Sequence, residues 1–115
     1  MITTHKDLRV WKSSKELVSI VYMHTKDFPQ HEQYALQSQI RRSVISIPSN
    51  IAEGSARKGN KELCRFLYIS LGSLAELDTQ LEIAADLGYA EYSEHLTSRI
   101  TSIRRMLINL IKAVQ

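Results

Sequence analysis

The residues between Gln39 and Asn60 have side chains suited to chemistry. Ser43, Ser46, Ser49, Asn50 and Ser55 stand close together, with Arg41 and Arg42 beside them. Hydroxyls can act as nucleophiles and guanidinium groups can hold anions, but a nucleophile needs a base within reach. None is indicated. His5, His24, His31 and His95 show no i, i+3 or i, i+4 spacing, so they suggest no metal site. Cys64 falls inside a helical pattern with no base constellation, which reads as a packed or half-exposed thiol. Glu76, Asp78 and Glu82 resemble a carboxylate cluster without a histidine at di-metal spacing, and they read as a solvated face. The chain has no phosphate-binding glycine loop, no Gly-x-Ser-x-Gly and no Cys-x-x-Cys. No catalytic residue, metal ligand or cofactor is assigned, and an enzyme is not expected.

Binding is the chemistry left. Arg57, Lys58, Lys61 and Arg65 crowd around a Gly-Asn turn, and Arg41 adds a charge further along. Phosphate contacts require positive groups at suitable spacing and no catalytic geometry. The formal net charge is only +3, but it is segregated. Residues 1–65 hold eleven Lys or Arg against six Asp or Glu. Residues 66–98 hold six acids and no Lys or Arg, and residues 99–115 hold four bases and no acid. Such blocks either create a basic face and an acidic face or neutralise one another across neighbouring helices.

The elements that position these residues are helical. A chain of 115 residues with 43% hydrophobic content fits one domain with one core, spanning 1–115. Four glycines and two prolines leave little material for a turn-rich β fold. No apolar run approaches the roughly 18 residues of a membrane span. Met1 to Asp7 has no apolar h-region, so no secretory signal is expected there. A single cysteine excludes an intramolecular disulfide and fits a reducing cytoplasm.

Periodicity predicts helices over about 7–26, 31–57, 61–87 and 91–114. Leu8, Trp11, Val18 and Tyr22, widened by Leu17 and Val21, form the first stripe, with Asp7 as N-cap or first-turn acid. Leu36, Ile40, Val44, Ile47 and Ile51 form the second, with Pro48 inside it predicting a kink. Leu63, Leu67, Ser70, Leu74, Leu77, Leu81 and Ala84 form the third, behind Asn60 as N-cap and ahead of Gly88 as stop. Leu96, Ile100, Ile103, Leu107, Leu110 and Val114 form the fourth, with Tyr92 or Ser93 near its start. Short connections imply antiparallel neighbours: an all-α, up-down-up-down four-helix bundle.

Folding the second and third helices about Gly59 sets Arg42 level with Glu76, Ser46 with Gly72 and Pro48 with Ser70. An Arg42–Glu76 ion pair is therefore expected, as a register-setting contact between helices. Close backbone approach is expected where Ser43 and Ser46 face Gly72 and Ser73. A serine hydroxyl is expected on the carbonyl that Pro48 leaves free. Phe66, Ile69, Ile83 and Ile108 are second-face apolar residues, candidates for subunit contact.

The chain also resembles a known family. The residues that carry the likeness are Asp7-Leu8-Arg9-Val10-Trp11, Phe28-Pro29, Gln39-Ile40-Arg41-Arg42-Ser43, Ile47-Pro48-Ser49-Asn50-Ile51-Ala52-Glu53-Gly54 and Leu71-Gly72-Ser73-Leu74-Ala75-Glu76-Leu77. They resemble the bacterial four-helix bundle proteins encoded by intervening sequences of 23S ribosomal RNA genes. The resemblance covers nearly the whole chain, and the Ile-Pro-Ser-Asn-Ile-Ala-Glu-Gly run is specific. It implies a four-helix bundle assembled as a ring-like homopentamer. A related branch, the accessory proteins of diversity-generating retroelements, binds nucleic acid through basic surfaces and associates with a reverse transcriptase. By analogy alone, that extends the candidate partners to a reverse transcriptase. No catalytic residue carries over.

Two readings follow. One is a non-enzymatic, cytoplasmic homo-oligomer that contacts RNA or DNA through Arg41, Arg57, Lys58, Lys61 and Arg65. The other is a protein-interaction scaffold whose charge blocks serve subunit contacts, basic blocks on one copy meeting the acidic third helix of the next.

Overall fold

The computed structural model describes residues 4–115, so the first three residues of the Met1–Asp7 segment lie outside it. The described residues form four α-helices and no strand: α1 (Arg9–Thr25), α2 (Leu36–Ala56), α3 (Asn60–Asp86) and α4 (Glu94–Val114). Short 3-10 turns stand at His5–Asp7 and Gln30–Glu32.

The core is the meeting of four seams. Leu17 and Val21 of α1, Ile40, Val44, Ile47 and Ile51 of α2, Leu67, Leu74, Leu77 and Leu81 of α3, and Leu96, Ile100, Ile103 and Leu107 of α4 are buried. Each such side chain contributes roughly 1.5–3 kcal/mol of burial. The α1 stripe is rotated from the expected one. Val10, Ser14, Leu17, Val21 and Thr25 point inward, while Leu8, Trp11, Val18 and Tyr22 pack at its margin. Polar residues can sit inward because each hydroxyl is satisfied locally: Ser14 donates to the Trp11 carbonyl at 3.0 Å and Thr25 to the Val21 carbonyl at 2.9 Å. At the other end of the chain, Ile111 takes the buried place expected of Leu110.

The helix ends differ from expectation where backbone geometry overrules side-chain caps. Asp7 does not cap α1; it closes a capping box with Thr4 around the preceding 3-10 turn, and Leu8 precedes α1. α2 starts at Leu36 rather than near His31, because no residue from Gln30 to Ala35 is buried to hold that segment in the helix. Glu32 instead accepts from the Leu36 N–H at 3.2 Å and from the Tyr89 hydroxyl at 2.8 Å. Asn60 is the first residue of α3, not its cap; Gly59 precedes it at φ 89°, a left-handed value that favours glycine. Gly88, at φ 78°, ends α3 in a Schellman motif: its N–H donates to Ala85 and the Tyr89 N–H to Ala84. Ser93 does cap α4, accepting from the Leu96 N–H at 3.2 Å.

α2 lies against α1 and α3, and α4 against α3 and α1; among the described residues the backbones of α1 and α3 approach less closely, as do those of α2 and α4. The four helices therefore occupy the corners of a square. Hydrogen bonds fix two relative directions. Gln37 and Arg41 reach back to Thr25 and Tyr22, so α1 and α2 are antiparallel. Ser43 bonds Gln80, Ser46 bonds Ser73, and Ser70 bonds the Ile47 carbonyl, so α2 and α3 are antiparallel too.

Candidate nucleic-acid interface

The polar load of α2 is consumed by the fold. Ser49 and Ser55 donate to the Ile45 and Ile51 carbonyls, both at 2.8 Å. Asn50 donates to both the carbonyl and the hydroxyl of Ser46, each at 2.9 Å. Ser43 donates to the Gln80 amide oxygen at 2.9 Å, and Ser46 shares a 2.8 Å bond with Ser73. These are back-bonds within α2 and cross-links to α3, not an activated nucleophile. α2 continues through Pro48 as one helix from Leu36 to Ala56. The hydroxyl near the proline is that of Ser70, and it reaches the Ile47 carbonyl at 2.9 Å rather than that of Val44.

Two expectations about the hairpin are corrected. Arg42 and Glu76 line one open groove of about 410 Å³ with Gln39, Ser46 and Gln80, but no ion pair joins them. Both are exposed, and the hydroxyl and amide cross-links below them hold the register. The expected close approach holds at Ser46 and Ser73, whose hydroxyls meet at 2.8 Å, but not at Gly72. Gly72 is exposed, and a Cβ there would meet no atom within 4 Å. Gly54 is the contact: a Cβ there would stand 2.7 Å from the Phe66 Cβ.

That contact organises the basic tip. With Gly54 beneath it, Phe66 is 8% exposed, which removes it from the surface apolar candidates. Arg57 and Arg65 cover its ring, with guanidinium carbons 5.1 Å and 4.5 Å from the ring centre. Each is also paired: Arg57 Nε with Glu53 at 2.9 Å, Arg65 Nε with Glu62 at 3.1 Å. The hydrogen bond from Arg65 holds the Glu62 carboxyl below its ordinary range, and the charges of Arg65, Arg57 and Lys61 add to the effect. Arg57, Lys61 and Arg65 therefore do converge. Lys58, on the turn, is exposed and makes no hydrogen bond or ion pair with the described residues. The sequence reading missed Phe66, Glu53 and Glu62 as parts of this tip. The acids at i−4 from Arg57 and i−3 from Arg65 were a readable signal.

Arg41 is not part of the tip. It lies 16 residues before Arg57, roughly 24 Å along α2. Its Nε donates to the Thr25 hydroxyl at 3.1 Å, an Nη to the Tyr22 carbonyl at 3.3 Å, and its guanidinium carbon stacks 4.4 Å from the Tyr22 ring centre. Arg41 closes the C-terminal end of α1, where exposed carbonyls attract cations.

A second open groove of about 550 Å³ lies between α3 and α4, with Asp78, Glu82, Asp86, Tyr92 and Arg104 in its lining. Asp78 accepts from the Tyr92 hydroxyl at 2.6 Å and from Arg104 at 3.3 Å. Burial, then the Asp78 hydrogen bond, push the Tyr92 hydroxyl well above the ordinary phenol range. Among the described residues, no group of three His, Cys, Asp or Glu side chains is arranged to hold a metal ion. No described helix is long and apolar enough to cross a membrane.

These features define a small all-helical protein with two polar grooves and a basic tip. The chain belongs to the 23S rRNA-intervening sequence protein family, whose profile matches residues 6–109. Its fold is similar to the crystal structure of a protein of unknown function from the S23 ribosomal protein family of Bacteroides thetaiotaomicron. The TM-score is 0.81 and the identity 25%, over 90% of this chain and 95% of that one. No functionally curated protein matches the chain.

Proposed function

We propose that this chain is a non-enzymatic, homo-oligomeric member of its family, working in the cytoplasm, that contacts RNA or DNA phosphates through Arg57, Lys58, Lys61 and Arg65. Its helices alternate up-down-up-down, and its copies form a ring-like homopentamer. The observation that carries the nucleic-acid reading is the gathering of these cations at one turn, with Lys58 and Lys61 exposed to solvent. Net charge at a single tip is small, because Glu53 and Glu62 offset two of the four cations. Repetition around a ring multiplies it: linked weak contacts gain affinity through effective concentration.

The test is a titration of a labelled, structured RNA with purified protein at low and moderate salt. Binding whose log–log salt slope is negative, and shallower in the Lys58→Ala/Lys61→Ala variant, supports the reading. Absence of binding at low salt overturns it. The scaffold reading is favoured by the same Glu53 and Glu62 pairs, which already occupy two guanidinium groups of the tip. It requires an oligomer with no salt-sensitive nucleic-acid binding.

A further inference from the structure

Two faces of the bundle are uncovered and complementary. α1 and α3 stand at opposite corners of the square, and their backbones do not approach closely. On the outward side of α3, Tyr68, Gly72, Ala75, Thr79, Ile83 and Asp86 recur every three or four residues, and all are exposed. Tyr68 is 52% and Ile83 42% exposed, and Leu87 next to them is 54% exposed. The middle of the stripe is small, and a Cβ on Gly72 would meet nothing within 4 Å. The stripe is therefore a shallow trough between two apolar shoulders. Its rim carries Glu76, Glu82 and Asp86, all exposed, and α3 has no Lys or Arg beyond Arg65.

The outward side of α1 is its counterpart. Lys12, Lys15, Ser19, Met23 and Lys26 recur at the same spacing and all are exposed; the acid beside them in α1, Glu16, is paired with Arg99 of α4 at 2.9 Å. Met23 is 63% exposed, a long flexible apolar side chain with no place in the core. The two stripes also match in height. Arg41 bonds the Tyr22 carbonyl and Ser43 bonds Gln80, so the level of Tyr22 is near that of Gln80. Both helices run antiparallel to α2 and so parallel to each other, which sets Met23 near the level of Ile83 and Lys26 near that of Asp86.

We infer that α1 of one copy packs into the α3 trough of the next, with Met23 seated against Ile83, Lys15 beside Glu76 and Lys26 beside Asp86. The inference rests on the homo-oligomeric reading above and gives it a surface. A second copy is the occupant because this chain itself carries the complementary stripe, in charge and in level. Opposite faces of one copy meet different neighbours, so the contact is head-to-tail, the kind that closes into a ring when the rotation permits. The basic tip lies at the end of the bundle, outside both stripes, and stays free. Gly72 then has a role: it lets the neighbouring helix come close.

The experiment measures the mass of the intact chain by size exclusion with light scattering, with far-UV circular dichroism as the check on folding. Gly72→Leu fills the trough at a position where an added Cβ meets open space, and Glu76→Lys/Asp86→Lys reverses the rim. Each variant is expected to stay helical and to fall to the mass of a single 13.2 kDa chain. Adding Lys15→Glu/Lys26→Glu to the rim reversal exchanges the charges and is expected to restore assembly. A wild-type oligomer whose mass survives both Gly72→Leu and the rim reversal overturns this contact and leaves the oligomeric reading standing. Failure of the four-fold exchange to restore assembly overturns the lysine–carboxylate match. A wild-type protein that runs as a single chain overturns the contact and the oligomeric reading together.

Discussion

The Ser70 hydroxyl donates to the Ile47 carbonyl at 2.9 Å, one residue ahead of Pro48, and Ser70 is fully buried. This bond pins α3 to α2 beside the proline and occupies a core position with a polar group. Ser70→Ala is expected to lower stability by about 1 kcal/mol, because a buried neutral hydrogen bond is worth about that much net. Urea denaturation at constant m-value measures it. A change within error would mean that the hydroxyl contributes nothing to the hairpin.

Gly54 and Gly72 should respond in opposite ways to the same substitution. Gly54→Ala drives a methyl to within 2.7 Å of the Phe66 Cβ, itself held close to its helix, and is expected to cost about 1–3 kcal/mol. Gly72→Ala meets open space in mid-helix and is expected to raise the stability of the single chain by about 0.5–1 kcal/mol. Thermal melts at a concentration where only single chains exist compare the two without interference from assembly.

Arg41 and Lys58 separate structural cations from binding ones. Arg41→Ala removes two hydrogen bonds and a ring contact at the end of α1, and should lower stability by about 1–2 kcal/mol while leaving RNA affinity unchanged. Lys58→Ala should do the reverse, leaving stability unchanged and reducing the salt slope of RNA binding by about 1 for each copy in contact. Paired melts and titrations of both variants check this; loss of RNA affinity in Arg41→Ala would return Arg41 to the interface.

His24 gives a pH dependence near neutrality. Its Nε2 is buried without a hydrogen-bond partner among the described residues, and this burial lowers the imidazole pKa from its ordinary value. The unfolded chain then takes up a proton that the folded chain resists. The contribution to stability is full above the ordinary value of 6.5 and is lost as pH falls from there through the lowered folded value. Denaturation midpoints between pH 8 and 5 should fall in the wild type and stay flatter in His24→Gln, which cannot charge.

Tyr92 acts at the other end of the pH scale. Burial and the Asp78 hydrogen bond raise its pKa, so the folded chain keeps a proton that the unfolded chain loses above the ordinary value of 10. Its contribution is present below pH 10 and lost as pH rises toward the folded value. Tyr92→Phe should flatten the alkaline limb of the stability curve; an unchanged limb would assign the loss to another group.

The sequence by itself determined the helices and most of the core. Heptad spacing of Leu67, Leu74, Leu77 and Leu81, or of Ile40, Val44, Ile47 and Ile51, leaves one face that must leave water, and the structure buries those residues. It also placed the turn at Gly59 and the stop at Gly88, where φ is positive and side chains are disfavoured. The gathering of Arg57, Lys61 and Arg65 was readable for the same reason, since neighbours on a tight turn stay neighbours. Tertiary structure alone decided which cations are spent. Arg41 looks like Arg57 in sequence, but it meets α1 because α2 folds back on it, and its guanidinium closes a helix end. Arg42 and Glu76 share a level but not an ion pair, because level follows from counting residues whereas side-chain approach depends on rotation about each helix axis. The two glycines show the same division. Periodicity put both on helices, but only packing turned Gly54 against Phe66 and Gly72 outward.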